Sequence, residues 1–478
     1  KPTQVRSLNV NSGENGHYES NERSDDVHPF QMPKEERDNL CNRCWYECGS
    51  YSTIWPYSLI IIIVVYALIA PIGWRIVDLR KQLDDTLVFP RDSQYLATYK
   101  DVEKDFSPGI LASWYVIIPD PEYEAGNSDK NVHSWTYVND TGTIMTAFYE
   151  QLAAAGYPMS SSIGVSVWDN RTFTNQQEYD YAARSSAYND FVSSFISSDN
   201  STTYFKMISA FDPYYSNAID FVSYARDTMS NLCGTAAPSK MSYRCYLTGG
   251  STNEVDLVNT IFAQFPYVLL GIVMLVFCIM GAFFASAFVP LRLFITIAVP
   301  LTLVYGLSIS VYQDGWLEGL HWSAVGNTQG LYWLSPVMTI TILIGLALDY
   351  DVFLFARVYE YRVHGLPTRE SIVRGVYNTG SIITAAGVIM AIAFCGLLFS
   401  QMTSLNQTGF ILVVAVLVDT FIIRTLLVPA VLSMAKLILY IYMHTYMYIC
   451  VYIFSKGMYL NICVWMCVCV CDAAITEK

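Results

Sequence analysis

Charge is scarce in this chain. Only 14% of its 478 residues are charged, against 53% hydrophobic, where ordinary soluble domains carry roughly 25% charged residues. Positive charge is scarcer than negative: 28 Lys and Arg face 41 Asp and Glu, a net charge of −13. That balance excludes a nucleic-acid partner, which needs a basic face. The sequence also lacks a Walker loop, a dinucleotide fingerprint and an HExxH zinc motif. No ATP-driven engine or zinc protease is therefore expected. No triad or metal cluster stands out, and His133, the lone histidine of the soluble segment 75–265, reads as a surface residue. The expectation is a protein that is not an enzyme and holds no cofactor and no metal.

Long hydrophobic runs are present in number. About 20 apolar residues cross a bilayer as a helix, and six stretches qualify: 54–74, 266–289, 292–312, 333–355, 379–400 and 408–433. The layout is a polar, disordered cytoplasmic segment (1–53), one span (54–74), a large soluble domain (75–265) and five closely spaced spans (266–434). A last apolar tail, 435–478, is built from Tyr, Met, Ile, Cys and Val in short repeats. It reads either as a seventh span or as translated repeat DNA from a gene-model artefact, and it carries no functional argument.

The soluble segment holds 23 acidic and 13 basic residues between positions 75 and 265, so most of the net charge lies there. Strand signals at 111–119, 161–168, 202–211 and 241–250 alternate with helix signals at 141–156, 178–198 and 216–232. Such alternation predicts an α/β sandwich of the split βαβ kind. The stretch 358–376 has amphipathic character and is expected either to lie along the membrane surface or to form a plain solvated helix.

Cysteines and sequons bear on sidedness. Cys233 and Cys245 are the only cysteines of the soluble segment; outside the cell they close a short disulfide loop, and otherwise they are two buried thiols. Cys41, Cys44 and Cys48 precede the first span. Their spacing fits a zinc site lacking its fourth ligand, juxtamembrane S-acylation, or unmodified thiols. The sequons at Asn139, Asn170, Asn200 and Asn406 all fall on one side of a six-span topology, the exoplasmic side in a eukaryote. The loop carrying Arg357, Arg362, Arg369 and Arg374 then faces the cytoplasm, as the positive-inside rule asks. The membrane is either the plasma membrane or an endomembrane.

The most informative residues are 345–362, GLALDYDVFLFARVYEYR. Asp349 and Asp351 interrupt an apolar run, and a carboxylate inside a membrane helix costs about 2.5–3.5 kcal/mol even on the mild insertion scale. Counting about 1.5 Å per residue from the outer ends of their spans places Asp349, Asp351, Asp419 and Arg424 within a band of about 7 Å in depth. A carboxylate in a low-dielectric site gains and loses a proton nearer neutral pH, a nearby Arg opposes that, and Tyr350 is placed to donate to an ionised Asp. Asp349, Tyr350, Asp351, Asp419 and Arg424 therefore form a candidate proton relay; the other reading is a static ion-pair network between two helices.

Three stretches carry a resemblance: LTGGSTNEVDLVNTIFAQFP (247–266), GLALDYDVFLFARVYEYR, and VLVDTFIIRTLLVPAVLSM (416–434). With the order of one span, a large domain and five spans, residues 54–435 resemble the C-terminal half of a resistance-nodulation-division (RND) transporter of the MmpL branch. The resemblance implies an α-helical integral membrane protein, a six-helix half-transporter with an inserted α/β ferredoxin-like exoplasmic porter domain. It implies proton-driven export of lipids or other hydrophobic molecules, with Asp349 and Tyr350 at the proton-relay site. Such transporters carry two repeats, so a second repeat or a homodimer partner is implied. Patched-like and sterol-sensing proteins share this architecture, and a lipid receptor that does not pump is the alternative.

Overall fold

The computed structural model describes residues 40–121, 132–168, 171–214, 218–284 and 288–434. Sequon Asn170, the segment 1–39 and the tail 435–478 lie outside these residues.

The described residues open with a helix, α1 (Leu40–Ser52), in the segment expected to be disordered. Every third or fourth residue supplies a buried face: Trp45 is 5% exposed and donates its indole N–H to Thr384 Oγ1 at 3.0 Å. Helix α2 (Tyr57–Gly73) follows as the first span. The soluble segment then runs β1 (Lys81–Gln82), α3 (Gln94–Asp105), β2 (Trp114–Pro119), α4 (Trp135–Ala154), β3 (Met159–Ile163), β4 (Val167–Trp168), β5 (Arg171–Thr172), α5 (Gln176–Ala183), α6 (Ser186–Ser193), β6 (Thr202–Ser209), α7 (Ala218–Thr235) and β7 (Tyr246–Gly249).

Four strands pair in the order β3–β6–β2–β7, every neighbour antiparallel. Along β2, Trp114, Val116 and Ile118 are fully buried while Tyr115 and Ile117 are less so, the period-two pattern of a one-sided sheet. Ile144, Phe148 and Leu152 of α4 and Phe221, Ala225 and Met229 of α7 complete that core. The expected strand at 161–168 breaks at Gly164, whose missing side chain leaves room for the ring of Phe205. The expected helix at 178–198 is two short helices. Cys233 and Cys245 are joined by a disulfide with their Cα atoms 6.2 Å apart.

The membrane part comprises α8 (Thr252–Phe284), α9 (Phe288–Tyr312), β8 (Leu331–Tyr332), α10 (Leu334–Val363), α11 (Thr368–Leu398) and α12 (Thr403–Val418). The last span continues past α12 as a π-helical segment, Asp419–Leu427, and runs to Met434. Among the described residues five helices are long and apolar enough to cross a membrane: Tyr57–Asp78, Thr252–Ala282, Leu334–Val363, Thr368–Leu398 and Thr403–Met434. The stretch expected at 292–312 supplies a shorter apolar helix, Thr296–Tyr312. No separate surface helix forms over 358–376: α10 runs on to Val363, and α11 starts at Thr368 after the turn at Gly365, whose φ is +83°. The last span is the central one, with 61% of its apolar window buried against 6–33% for the others.

Glycines set the helix spacing in the bundle. A Cβ at Gly387 of α11 would collide with Thr420 in the π-helical segment, and one at Gly306 of α9 would collide with the carbonyl of Ile72 in α2. In lipid, such small residues let helices approach closely enough for dispersion to hold them.

A polar clasp ties the soluble segment to the last span. Arg91 donates its backbone N–H to Gln401 O at 3.1 Å and its guanidinium to Asn406 Oδ1. Asn406 Nδ2 lies 3.0 Å from each of the Leu397, Leu398 and Ser400 carbonyls. The next residue, Gln407, accepts from Tyr332 N–H at 2.8 Å and donates to Thr328 Oγ1 at 3.0 Å. Both amides are 0% exposed. At the sequon Asn406, the nitrogen a glycan would need is enclosed and serves three carbonyls. Asn200, by contrast, is exposed in a turn, and Asn139 is half-buried on α4.

Two outcomes follow from this packing. Asn200→Gln removes one glycan-sized mobility step on a gel from eukaryotic cells, whereas Asn406→Gln leaves mobility unchanged and lowers the yield of folded protein. Gly387→Leu overpacks the α11 crossing, a change that typically costs about 1–3 kcal/mol, and lowers the melting temperature in detergent; Gly396→Leu, where a Cβ meets nothing, does not.

Candidate functional site

Arg424 is the largest charged side chain wholly enclosed among the described residues, at 0% exposure. It lies in the π-helical segment. Around an α-helix, residues five apart diverge by about 140°, so Asp419 and Arg424 would face different neighbours. The i→i+5 bonding of a π-helix brings them almost one above the other. Arg424 accordingly grips Asp419, with Nε 2.9 Å from Oδ2 and Nη2 on the same oxygen. Nη2 also donates to the Ala347 carbonyl of α10 at 3.3 Å.

Asp351 of α10 completes the cluster. It is 4% exposed, and its Oδ1 lies 3.6 Å from Arg424 Nη1. That separation is an ion pair but too long for a hydrogen bond. Thr296 of α9 donates to Asp351 Oδ2 at 3.5 Å, the outer limit of hydrogen bonding. The guanidinium also rests over the Tyr350 ring, 4.5 Å from its centroid, in cation–π geometry. Of the five residues singled out from the sequence, the structure brings Tyr350, Asp351, Asp419 and Arg424 together. It places Asp349 elsewhere, exposed on the outer surface of α10.

Arg292 and Thr296 joined this site unannounced. Arg292 is 2% exposed, sits in the field of Asp351 and lies 5.1 Å from the Phe355 ring centroid. Its Nε and Nη1 have no hydrogen-bond partner among the described residues. In the sequence it stands at the edge of an apolar run, where a basic residue reads as an interfacial anchor; apolar neighbours on both sides were the one signal that it points inward.

A cavity of about 20 Å³ adjoins the ion pair, bordered by Tyr350, Asp419, Leu343, Ala347, Ile297 and Pro300. That is room for about one water molecule, whose centre needs roughly 10–15 Å³. The site thus offers a partly buried carboxylate held by one cation, a second, buried carboxylate within reach of the same cation, and a water-sized space touching the first. Chemically it is suited to taking up and releasing a proton.

Comparison with known proteins agrees with this architecture. Residues 147–436 match the MMPL family model, more than half of the chain. Probable transport protein MmpL10 of Mycobacterium leprae is 30% identical over 247 residues, 51% of this chain and 23% of that protein. Membrane protein YdfJ of Bacillus subtilis is 31% identical over 188 residues, 39% of this chain and 26% of its own. Trehalose monomycolate exporter MmpL3 of Mycobacterium tuberculosis is 31% identical over 191 residues, 39% of this chain and 20% of its own. The matched part thus spans about a quarter of the length of these relatives. With its apolar helices and this family match, the chain is a multi-pass integral membrane protein that belongs to the MMPL family of the RND superfamily.

Proposed function

We propose that this chain is one repeat of a proton-coupled transporter of lipids or other hydrophobic molecules, and that the coupling site is Asp419–Arg424–Asp351 with Tyr350. The observation that carries this reading is the enclosed guanidinium shared unequally between two carboxylates beside a water-sized cavity. A proton arriving through the cavity neutralises Asp419 and releases Arg424. The guanidinium then closes on Asp351, 3.6 Å from its free Nη1. Deprotonation of Asp419 reverses the exchange. Because buried ion pairs are strong only in good geometry, a small shift of α10 against the last span alters which carboxylate wins.

The relatives' names support the cargo class: one is a trehalose monomycolate exporter and another, from Mycolicibacterium smegmatis, a mycolic acid-containing lipids exporter. The sheet order β3–β6–β2–β7 is that of a split βαβ unit and supports a ferredoxin-like porter domain. In this reading α9, with its apolar part Thr296–Tyr312, serves as the sixth helix. Residues 54–74, 75–265 and 266–434 are the first span, the exoplasmic domain and the five-helix bundle. Asp349 belongs to the same mechanism through a partner. An exposed carboxylate part-way along a span is costly against lipid, so a second repeat or a second copy covers it and completes the relay.

The test is flux of a fluorescent lipid in proteoliposomes under an imposed pH gradient. Wild type shows flux that follows the gradient. Asp419→Asn and Asp351→Asn, reconstituted at matched amounts of folded protein, lose it, by the 10²-fold or more usual when a proton-transfer group is removed. Asp349→Asn loses it as well. Flux unchanged in Asp419→Asn, or wild-type flux indifferent to the gradient, overturns the relay.

A further inference from the structure

Helix α1 carries chemistry that the transport reading leaves unused. Its turns divide into three faces. Trp45, Gly49 and Ser52 pack inward: Trp45 against Gly380 and Thr384 of α11, and Gly49 against Val376. A second face is polar, where Arg43 pairs with Glu47 at 2.9 Å in solvent. The third face carries Cys44, Cys48 and Tyr51, and Trp55 follows in the turn between α1 and α2. Cys44 is exposed and Cys48 half-buried, and their Sγ atoms are 3.9 Å apart. Tyr51 is 63% and Trp55 68% exposed.

The depth of this face is fixed by what α1 packs on. Gly380 and Thr384 lie at the start of the apolar run 381–398, the edge of the hydrocarbon on the side of the α10–α11 turn. Exposed aromatic rings belong at that level, half in lipid. The two thiols therefore sit at the membrane boundary with nothing of the described chain over Cys44. They are also at the opposite end of the bundle from Cys233 and Cys245, which are joined in the soluble domain. A disulfide on one side and free thiols on the other is the arrangement expected when the soluble domain faces an oxidising compartment and α1 a reducing one.

From this geometry we propose that Cys44, with Cys48 beside it as a second acceptor, is a site of thioester S-acylation by a long-chain fatty acid. The fit is chemical as well as positional. Cys44 Sγ attacks the thioester carbonyl of an acyl-coenzyme A; the new S–C bond forms as the bond to coenzyme A breaks, and the thiol proton leaves with coenzyme A. No oxidant or reductant is needed. The acyl chain then enters the adjoining hydrocarbon, each buried CH2 contributing about 0.8 kcal/mol, and pins α1 against α11. Burial, and then the neighbouring Cys44, push the Cys48 thiol up to about 11; Cys44, the exposed member of the pair, is the one open to an acyl donor.

The experiment uses the full chain in cultured eukaryotic cells fed an alkyne analogue of palmitate. Wild type carries label that neutral hydroxylamine removes. Cys44→Ser/Cys48→Ser loses it to background, while Cys278→Ser, a lipid-facing thiol within α8, keeps it. Label undiminished in the double variant overturns the proposal. Should that variant fail to accumulate, mass spectrometry of wild type decides: trypsin cuts after Arg43, and the peptide beginning at Cys44 must carry a fatty acyl thioester. Finding it unmodified, disulfide-linked or zinc-retaining overturns the proposal equally, and none of these outcomes bears on Asp419.

Discussion

A guanidinium cannot lose its charge inside a protein, and that of Arg424 is wholly enclosed. Everything around it answers to that constraint. Removing one partner from a buried pair leaves an uncompensated charge, at a cost of about 3–5 kcal/mol. Asp419 must therefore stay within reach, and the last span adopts a π-helical turn to keep it there. Asp351 of α10 and the Ala347 carbonyl take what remains of the donor set. Gly387 lets α11 come close enough to enclose the turn. The centre of the bundle is thus organised by one cation rather than by apolar packing alone.

Much of this was legible in the sequence, for identifiable reasons. Hydrophobic runs report membrane spans directly, because lipid leaves the backbone few alternatives. The alternation of strand and helix signals in 111–250 gave a sheet whose order follows. Depth counting along two spans put Asp349, Asp351, Asp419 and Arg424 within a band of about 7 Å, and the last three of these meet in the structure.

What stayed hidden depends on neighbours. Asp349 and Asp351 are about 200° apart around α10, so one faces inward and the other outward, and only the packing of α9 and the last span selects which. The π-helical register has no marker in residues 419–427, because it is set by the pairing it permits. Asn406 reads as a glycan acceptor until Arg91, some 300 residues earlier in the chain, is seen to occupy its carbonyl oxygen. Residues 40–52 read as disordered chain in the sequence because their polar and aromatic residues form an ordered face only against α11.

The clasp at Asn406 and Gln407 has a mechanical consequence. It grips the first turn of the helix that bears Asp419, 13 residues further on or about 20 Å along a rigid rod. Arg91, in the turn before α3, joins the other end of that grip to the soluble segment. Through these contacts the soluble domain is fixed to the span that bears the ion pair as a handle is fixed to its shaft.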